Sequence, residues 1–133
     1  MFSSNRRVEF RMCDAAGILY FAKIFDLAHS VYEEFILESN LKLNIFENEN
    51  FIVPLISTSA EFYNPILLHE KLNVQLKVNK IGTSSFKLHF DFFAEDKKLK
   101  ASVNTANVFV SKSSFKKTNI SNEFLSFLEK HRN

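Results

Sequence analysis

Hydrophobic residues follow two different rhythms along this chain, and the change falls near residue 50. Val8, Phe10 and Met12 alternate with Arg7, Glu9 and Arg11, which predicts a short half-buried strand. From Phe21 the spacing becomes helical. Phe21, Ile24, Phe25, Ala28, Val31, Tyr32 and Phe35 form one stripe, and Leu27, Ile36 and Leu37 widen it. The spacing predicts a helix to about Asn40, apolar on more than one side and so largely enclosed. Leu41 to Asn50 reads as a connector. Period two then returns. Phe51 to Phe62 is expected to be one long strand, with Pro54 demanding an edge position or a bulge. Asn64-Pro65 marks a bend. Leu72 to Val78 and Phe86 to Phe92 alternate cleanly, with turns at Gly82-Thr83 and Asp96-Lys97. Leu99 to Ser111 is a last strand, and Ser113 to Asn119 is a polar linker. Ser121 should cap a short helix that turns Phe124, Leu125, Phe127 and Leu128 inward. Strands joined by tight turns pair antiparallel. The expected class is α+β: a five-stranded antiparallel sheet curled around one long helix, with a short C-terminal helix. Residues 1–133 should form a single domain.

Composition narrows the function. A net charge of +2 with scattered Lys and Arg provides no basic stripe for nucleic acid. The aromatic strand Phe86 to Phe93 lacks the basic surround of an RNA-stacking sheet and is read as core. One cysteine excludes an internal disulfide and fits a reducing compartment. Met1 to Arg11 holds no apolar signal-peptide region, and no apolar run approaches membrane-spanning length. A soluble cytoplasmic protein without membrane or nucleic-acid partners is expected. The four histidines have no metal-ligand spacing, and two distant glycines cannot build a phosphate loop, so neither metal nor organic cofactor is expected.

The stretch Cys13-Asp14-Ala15-Ala16-Gly17-Ile18-Leu19-Tyr20-Phe21 concentrates the candidate chemistry. A carboxylate can serve as base or nucleophile. A following helix N-terminus offers unpaired N–H groups to a developing oxyanion. Ala15, Ala16 and Gly17 clear space beside Asp14, whereas a carboxylate that merely caps a helix needs no such clearing. Gly17 points to a positive φ or a close approach. Tyr20 and Phe21 would wall an aromatic or acyl site. Cys13 is a poor nucleophile, because the adjoining carboxylate disfavours its thiolate. His29, on the helix face with Phe25 and Tyr32, is read as a hydrogen-bonded packing residue.

The segment Asp14 to Ala22 resembles the signature of the hotdog-fold acyl-CoA thioesterases of the 4-hydroxybenzoyl-CoA thioesterase type. The resemblance extends to the element order, to Val53-Pro54 at a strand start, to the Phe62–Pro65 bend and to the Gly82–Phe86 hairpin. Within the family, the branch that hydrolyses 1,4-dihydroxy-2-naphthoyl-CoA is most similar, in the Asp-Ala-Ala-Gly core and in His29-Ser30-Val31-Tyr32-Glu33. The branch linked to the cell-envelope Tol-Pal system carries His where this chain has Phe21. His69-Glu70 replaces the Gly-Asp common in the family, so the turn there should differ.

The resemblance implies hydrolysis of an aryl-CoA thioester on the route to phylloquinone or menaquinone. Asp14 would be catalytic and the Phe21 N–H would bind the oxyanion. Gly17, Tyr20, Phe21, Val53, Leu55, Ile56 and Phe62 would contact substrate in a short flat slot. It also implies a homodimer or homotetramer with active sites at the interface. The alternatives are a thioesterase for 4-hydroxybenzoyl-CoA or fatty acyl-CoA, a non-enzymatic acyl-CoA-binding module, and a structural dimer.

Overall fold

The computed structural model describes residues 1–132. Five strands form the main sheet, in the order β1, β4, β5, β6, β3. They are β1 (Phe2–Arg7), β3 (Leu55–Phe62), β4 (Lys71–Ile81), β5 (Ser85–Ala94) and β6 (Leu99–Val108), and all neighbours are antiparallel. The long helix α1 (Lys23–Glu38) lies on the inner face of this sheet, and α2 (Asn122–Lys130) closes one end. Two residues of β2 (Phe51–Ile52) pair with β7 (Val110–Ser111) beside the main sheet. The α+β class and the sheet wrapped on one helix are as the hydrophobic pattern predicts.

Alternation produces the inner face directly. Leu72, Val74, Leu76 and Val78 of β4, with Phe86, Leu88, Phe90 and Phe92 of β5, are all buried. Ile24, Leu27, Ala28, Val31 and Phe35 of α1 pack onto them. The opposite side of α1, with Asp26, Ser30, Glu33 and Leu37, stays exposed, so the helix is covered on one broad face and not enclosed. At the closed end, Phe35 meets Phe127 with centroids 4.6 Å apart, and Phe124 sits 5.3 Å from Phe86 and 5.6 Å from Phe109. Fully burying a ring of this kind stabilises by roughly 1.5–3 kcal/mol. Ser121 caps α2 through the Phe124 N–H, as expected.

Three expectations are corrected. Residues 8–12 are not a strand. Val8 exchanges backbone bonds with His69 and Glu70, just before β4 begins, so nothing remains for residues 9–12 to pair with. Phe10–Met12 instead form one 3₁₀ turn, which leaves Phe10 78% exposed. The strand is β1, six residues long and without an apolar stripe. Its inward Ser4 and Arg6 are satisfied by Glu34 of α1, at 2.8 and 3.1 Å. Secondly, the stretch from Phe51 to Phe62 breaks at Val53-Pro54 into β2 and β3, and a bulge follows between Leu55 and Ser57. Thirdly, Leu99 to Ser111 breaks at Phe109, whose buried side chain turns into the core.

Candidate active site

Asp14 sits in a tight loop that the backbone closes on itself. Its N–H donates to Ile18 O (2.9 Å), and Gly17 N–H donates to Asp14 O (3.1 Å). The loop closes only because Gly17 takes φ +77°, and open space surrounds its missing Cβ. The positive φ is as expected; the close approach is absent. Ala16 N–H donates to Asp14 Oδ1 (2.9 Å), which fixes the carboxylate and leaves Oδ2 free. Asp14 therefore caps its own turn and not the helix. Ala22, at the N-terminus of α1, has no side-chain cap. Among the described residues the N–H groups of Phe21 and Ala22 donate to no acceptor. Asp14 and Phe21 thus line one groove of about 480 Å³.

The far wall of that groove is the segment Phe62–Ile66. It is tied to the Asp14 loop by Leu19 N–H to Ile66 O (2.8 Å) and Leu68 N–H to Gly17 O (3.1 Å). An ion pair between buried Lys100 and half-buried Glu70 anchors it from behind. Lys100 Nζ donates to Pro65 O (2.8 Å) and lies 3.1 Å from Glu70 Oε2, while Glu70 Oε1 accepts Leu67 N–H (3.0 Å). His69, in the turn that departs from the family pattern, has φ +65°. Sequence reading missed Lys100 and Glu70, since nothing in an alternating strand marks which outward lysine will be buried.

Tyr20, Phe21 and Phe62 line the Asp14 groove, and Gly17 shapes the loop beside it. Within one protomer Leu55 lies elsewhere, in a second cavity of about 380 Å³ between α1 and the outer strands β3 and β6. Val53 packs half-buried against the core, and Ile56 stands 59% exposed at the bulge. Among the described residues His29 has no hydrogen-bonding partner; it is exposed on the rim of the second cavity with its ring 5.7 Å from Tyr32, which corrects its reading as a hydrogen-bonded packing residue. Burial raises the Tyr32 phenol well above its ordinary value, so it stays protonated.

Other groupings offer no chemistry. His89, Asp91 and Ser102 meet on the outer sheet face, but Ser102 donates to Asp91 (2.7 Å) and not to His89. That hydroxyl is not paired with the imidazole. A hollow of about 690 Å³ lies on the same face at β1, β4 and β5, and Asp14 is not among the residues that line it. No group of three or more metal-ligating side chains occurs among the described residues. No helix is long and apolar enough to cross a membrane.

Comparison with known proteins agrees with the geometry. A 1,4-dihydroxy-2-naphthoyl-CoA hydrolase of Nostoc punctiforme is 30% identical over 98% of this chain and 88% of its own length. A protein of the same description from Crocosphaera subtropica is 25% identical, over 88% of each chain. The crystal structure of a 1,4-dihydroxy-2-naphthoyl-CoA thioesterase from Synechocystis superposes with a TM-score of 0.89 at 25% identity, covering 96% of this chain and 94% of that one. A dynemicin thioesterase, at 13% identity and a TM-score of 0.90, shares the fold. Residues 8–128 match the thioesterase-like superfamily, and with its sheet wrapped on α1 and its Asp14 loop at the helix N-terminus the chain belongs to that family of hotdog-fold thioesterases.

Proposed function

We propose that this protein hydrolyses an aryl-CoA thioester, 1,4-dihydroxy-2-naphthoyl-CoA, to 1,4-dihydroxy-2-naphthoate and CoA, in the cytoplasm, on the way to phylloquinone or menaquinone. The observation that carries this reading is the shared groove: Asp14, with Oδ2 left unbonded, and Phe21, with its N–H left unbonded, line one space with Tyr20 and Phe62. The thioester carbonyl sits at the N-terminus of α1, where the Phe21 N–H polarises it. One oriented donor of this kind lowers the barrier by roughly 3 kcal/mol. Asp14 attacks the carbonyl carbon to give a mixed anhydride that water then opens, or it takes a proton from the water that attacks. Both routes break the C–S bond and release CoA thiolate, which leaves without a strong general acid. Neither calls for a metal or an organic cofactor.

Assembly completes the site in this reading. β3 is a sheet edge carrying Leu55, Ile56 and Phe62, each at least 44% exposed, and such an edge invites pairing. The two cavities lie at opposite ends of the seam between β3 and α1. They are separated by about 13 Å from Phe62 to Thr58 along the strand and by about 12 Å from Phe21 to His29 along the helix. A two-fold pairing of β3 with its copy, centred near Thr58 and Ser59, sets the Phe62 end of one protomer against the Leu55 end of the other. Each Asp14 groove then opens onto the second cavity of the facing protomer, and Val53, Leu55 and Ile56 come close to the acyl group from there. A homodimer is the minimal unit and a homotetramer its doubling.

A thiol-release assay over a series of acyl-CoAs tests the reading. The expected order of kcat/KM is dihydroxynaphthoyl-CoA, then benzoyl-type CoAs, then palmitoyl-CoA. A fused ring gains roughly 1 kcal/mol from offset stacking. A flexible acyl chain loses rotamer freedom on entering. Best turnover of palmitoyl-CoA would refute the aryl assignment, and no turnover of any thioester would refute the enzyme.

A further inference from the structure

Four consecutive residues in and beyond the far wall of the Asp14 groove are held alternately from two sides. Pro65 O accepts from Lys100 Nζ (2.8 Å), and Ile66 O accepts from the Leu19 N–H (2.8 Å). The Leu67 N–H donates to Glu70 Oε1 (3.0 Å), and the Leu68 N–H donates to Gly17 O (3.1 Å). Pro65 and Leu67 are thus held by the ion pair, and Ile66 and Leu68 hold the Asp14 loop. A bulge in β6 makes this possible. Phe92 faces Ala101 and Phe93 faces Leu99, so Lys100 is an extra residue in the ladder. A residue at such a point can turn its side chain out of the strand's alternation. Lys100 is 8% exposed, beside the fully buried Ala101. Its own carbonyl accepts the N–H groups of Tyr63 (2.8 Å) and Asn64 (3.1 Å), so main chain and side chain grip the same segment.

Stability alone does not call for this arrangement. Apolar residues of similar volume often replace a buried ion pair without loss. What they cannot supply is a donor aimed at Pro65 O and an acceptor aimed at the Leu67 N–H. We infer that Lys100 and Glu70 are positioning residues for the thioester hydrolysis proposed above, a reading on which this inference rests: their ion pair sets where the Asp14 loop lies against the N-terminus of α1. Through Ile66 and Leu68 the pair fixes Leu19 and Gly17. Gly17 and Ile18 in turn hold the main chain of Asp14, at 3.1 and 2.9 Å. Neither Lys100 nor Glu70 is among the residues that line the groove, so both act through Asp14 and not on the substrate. The effect of such a support on rate is large, because a reacting group misplaced by about 1 Å can cost roughly a hundredfold.

The experiment measures kcat and KM for 1,4-dihydroxy-2-naphthoyl-CoA, urea stability and amide hydrogen exchange on the unmodified protein, Lys100→Met, Glu70→Gln and the double variant. Lys100→Met removes the donor to Pro65 and leaves the main-chain bonds of residue 100 in place. It should lower kcat roughly ten- to hundredfold under conditions where it is folded. KM should change by less than about threefold, since the substrate contacts remain. Glu70→Gln keeps an oxygen for the Leu67 N–H and should lose far less. The double variant separates support of the fold from support of the reaction. Its stability should return, but Pro65 stays unheld, so kcat should stay low. In that variant the Leu19 and Leu68 amides should exchange faster than in the unmodified protein, while the amides of β4 and β5 keep their protection. A kcat that recovers with stability in the double variant, or unchanged exchange at Leu19 and Leu68, overturns the positioning role while the hydrolase reading stands. Failure of the unmodified protein to hydrolyse any thioester removes both.

Discussion

At the level of single residues, the proposed mechanism gives one carboxylate two separable jobs. Asp14 Oδ1 holds the turn through the Ala16 N–H, and the residue lines the groove in which Oδ2 would act. Asp14→Asn keeps an oxygen for the turn and removes the charge. It should lower kcat at least a hundredfold, with KM little changed and the melting temperature intact, when steady-state kinetics and thermal melts are measured side by side. Near-normal turnover would remove Asp14 from the mechanism. This device was legible in the sequence because its parts are contiguous: a carboxylate, two alanines and a glycine that takes φ +77°.

Among the elements, legibility depended on whether a side chain's environment is apolar. β4 and β5 were readable residue by residue, since every inward position meets hydrocarbon. β1 was hidden because Ser4 and Arg6 point inward to Glu34, a partner some thirty positions away in sequence. The alternation at Val8 to Met12 misled for the converse reason: it has the right period but no strand to pair with. The loop 63–70 belongs to the hidden class too, as the Lys100–Glu70 pair that holds it spans β6 and the approach to β4. Removing Lys100 leaves the half-buried Glu70 carboxylate without its partner. Lys100→Met should cost roughly 1–3 kcal/mol in urea unfolding, and Glu70→Gln/Lys100→Met should recover most of it. A single variant as stable as the unmodified protein would show that the pair contributes nothing.

At the scale of the whole molecule, the exposed edge of β3 and the two cavities at its ends make assembly and activity one question. Light scattering should find a dimer or tetramer at micromolar concentration, and specific activity should fall on dilution in step with the mass. A monomer with full activity would contradict the shared site. The sequence suggested assembly through the apolar content of Phe51 to Phe62, although it could not reveal that the stretch is cut at Pro54 and that, of its two parts, β3 forms an edge of the main sheet while β2 pairs outside it. The aromatic inventory carries a last consequence. The chain has three tyrosines and no tryptophan. Tyr20 and Tyr63 line the Asp14 groove, and Tyr32 lines the second cavity. The intrinsic ultraviolet emission of the protein therefore arises entirely at its two cavities, against a core of spectroscopically faint phenylalanine. A bound naphthoate, which absorbs where tyrosine emits, turns the unlabelled chain into its own optical gauge of occupancy.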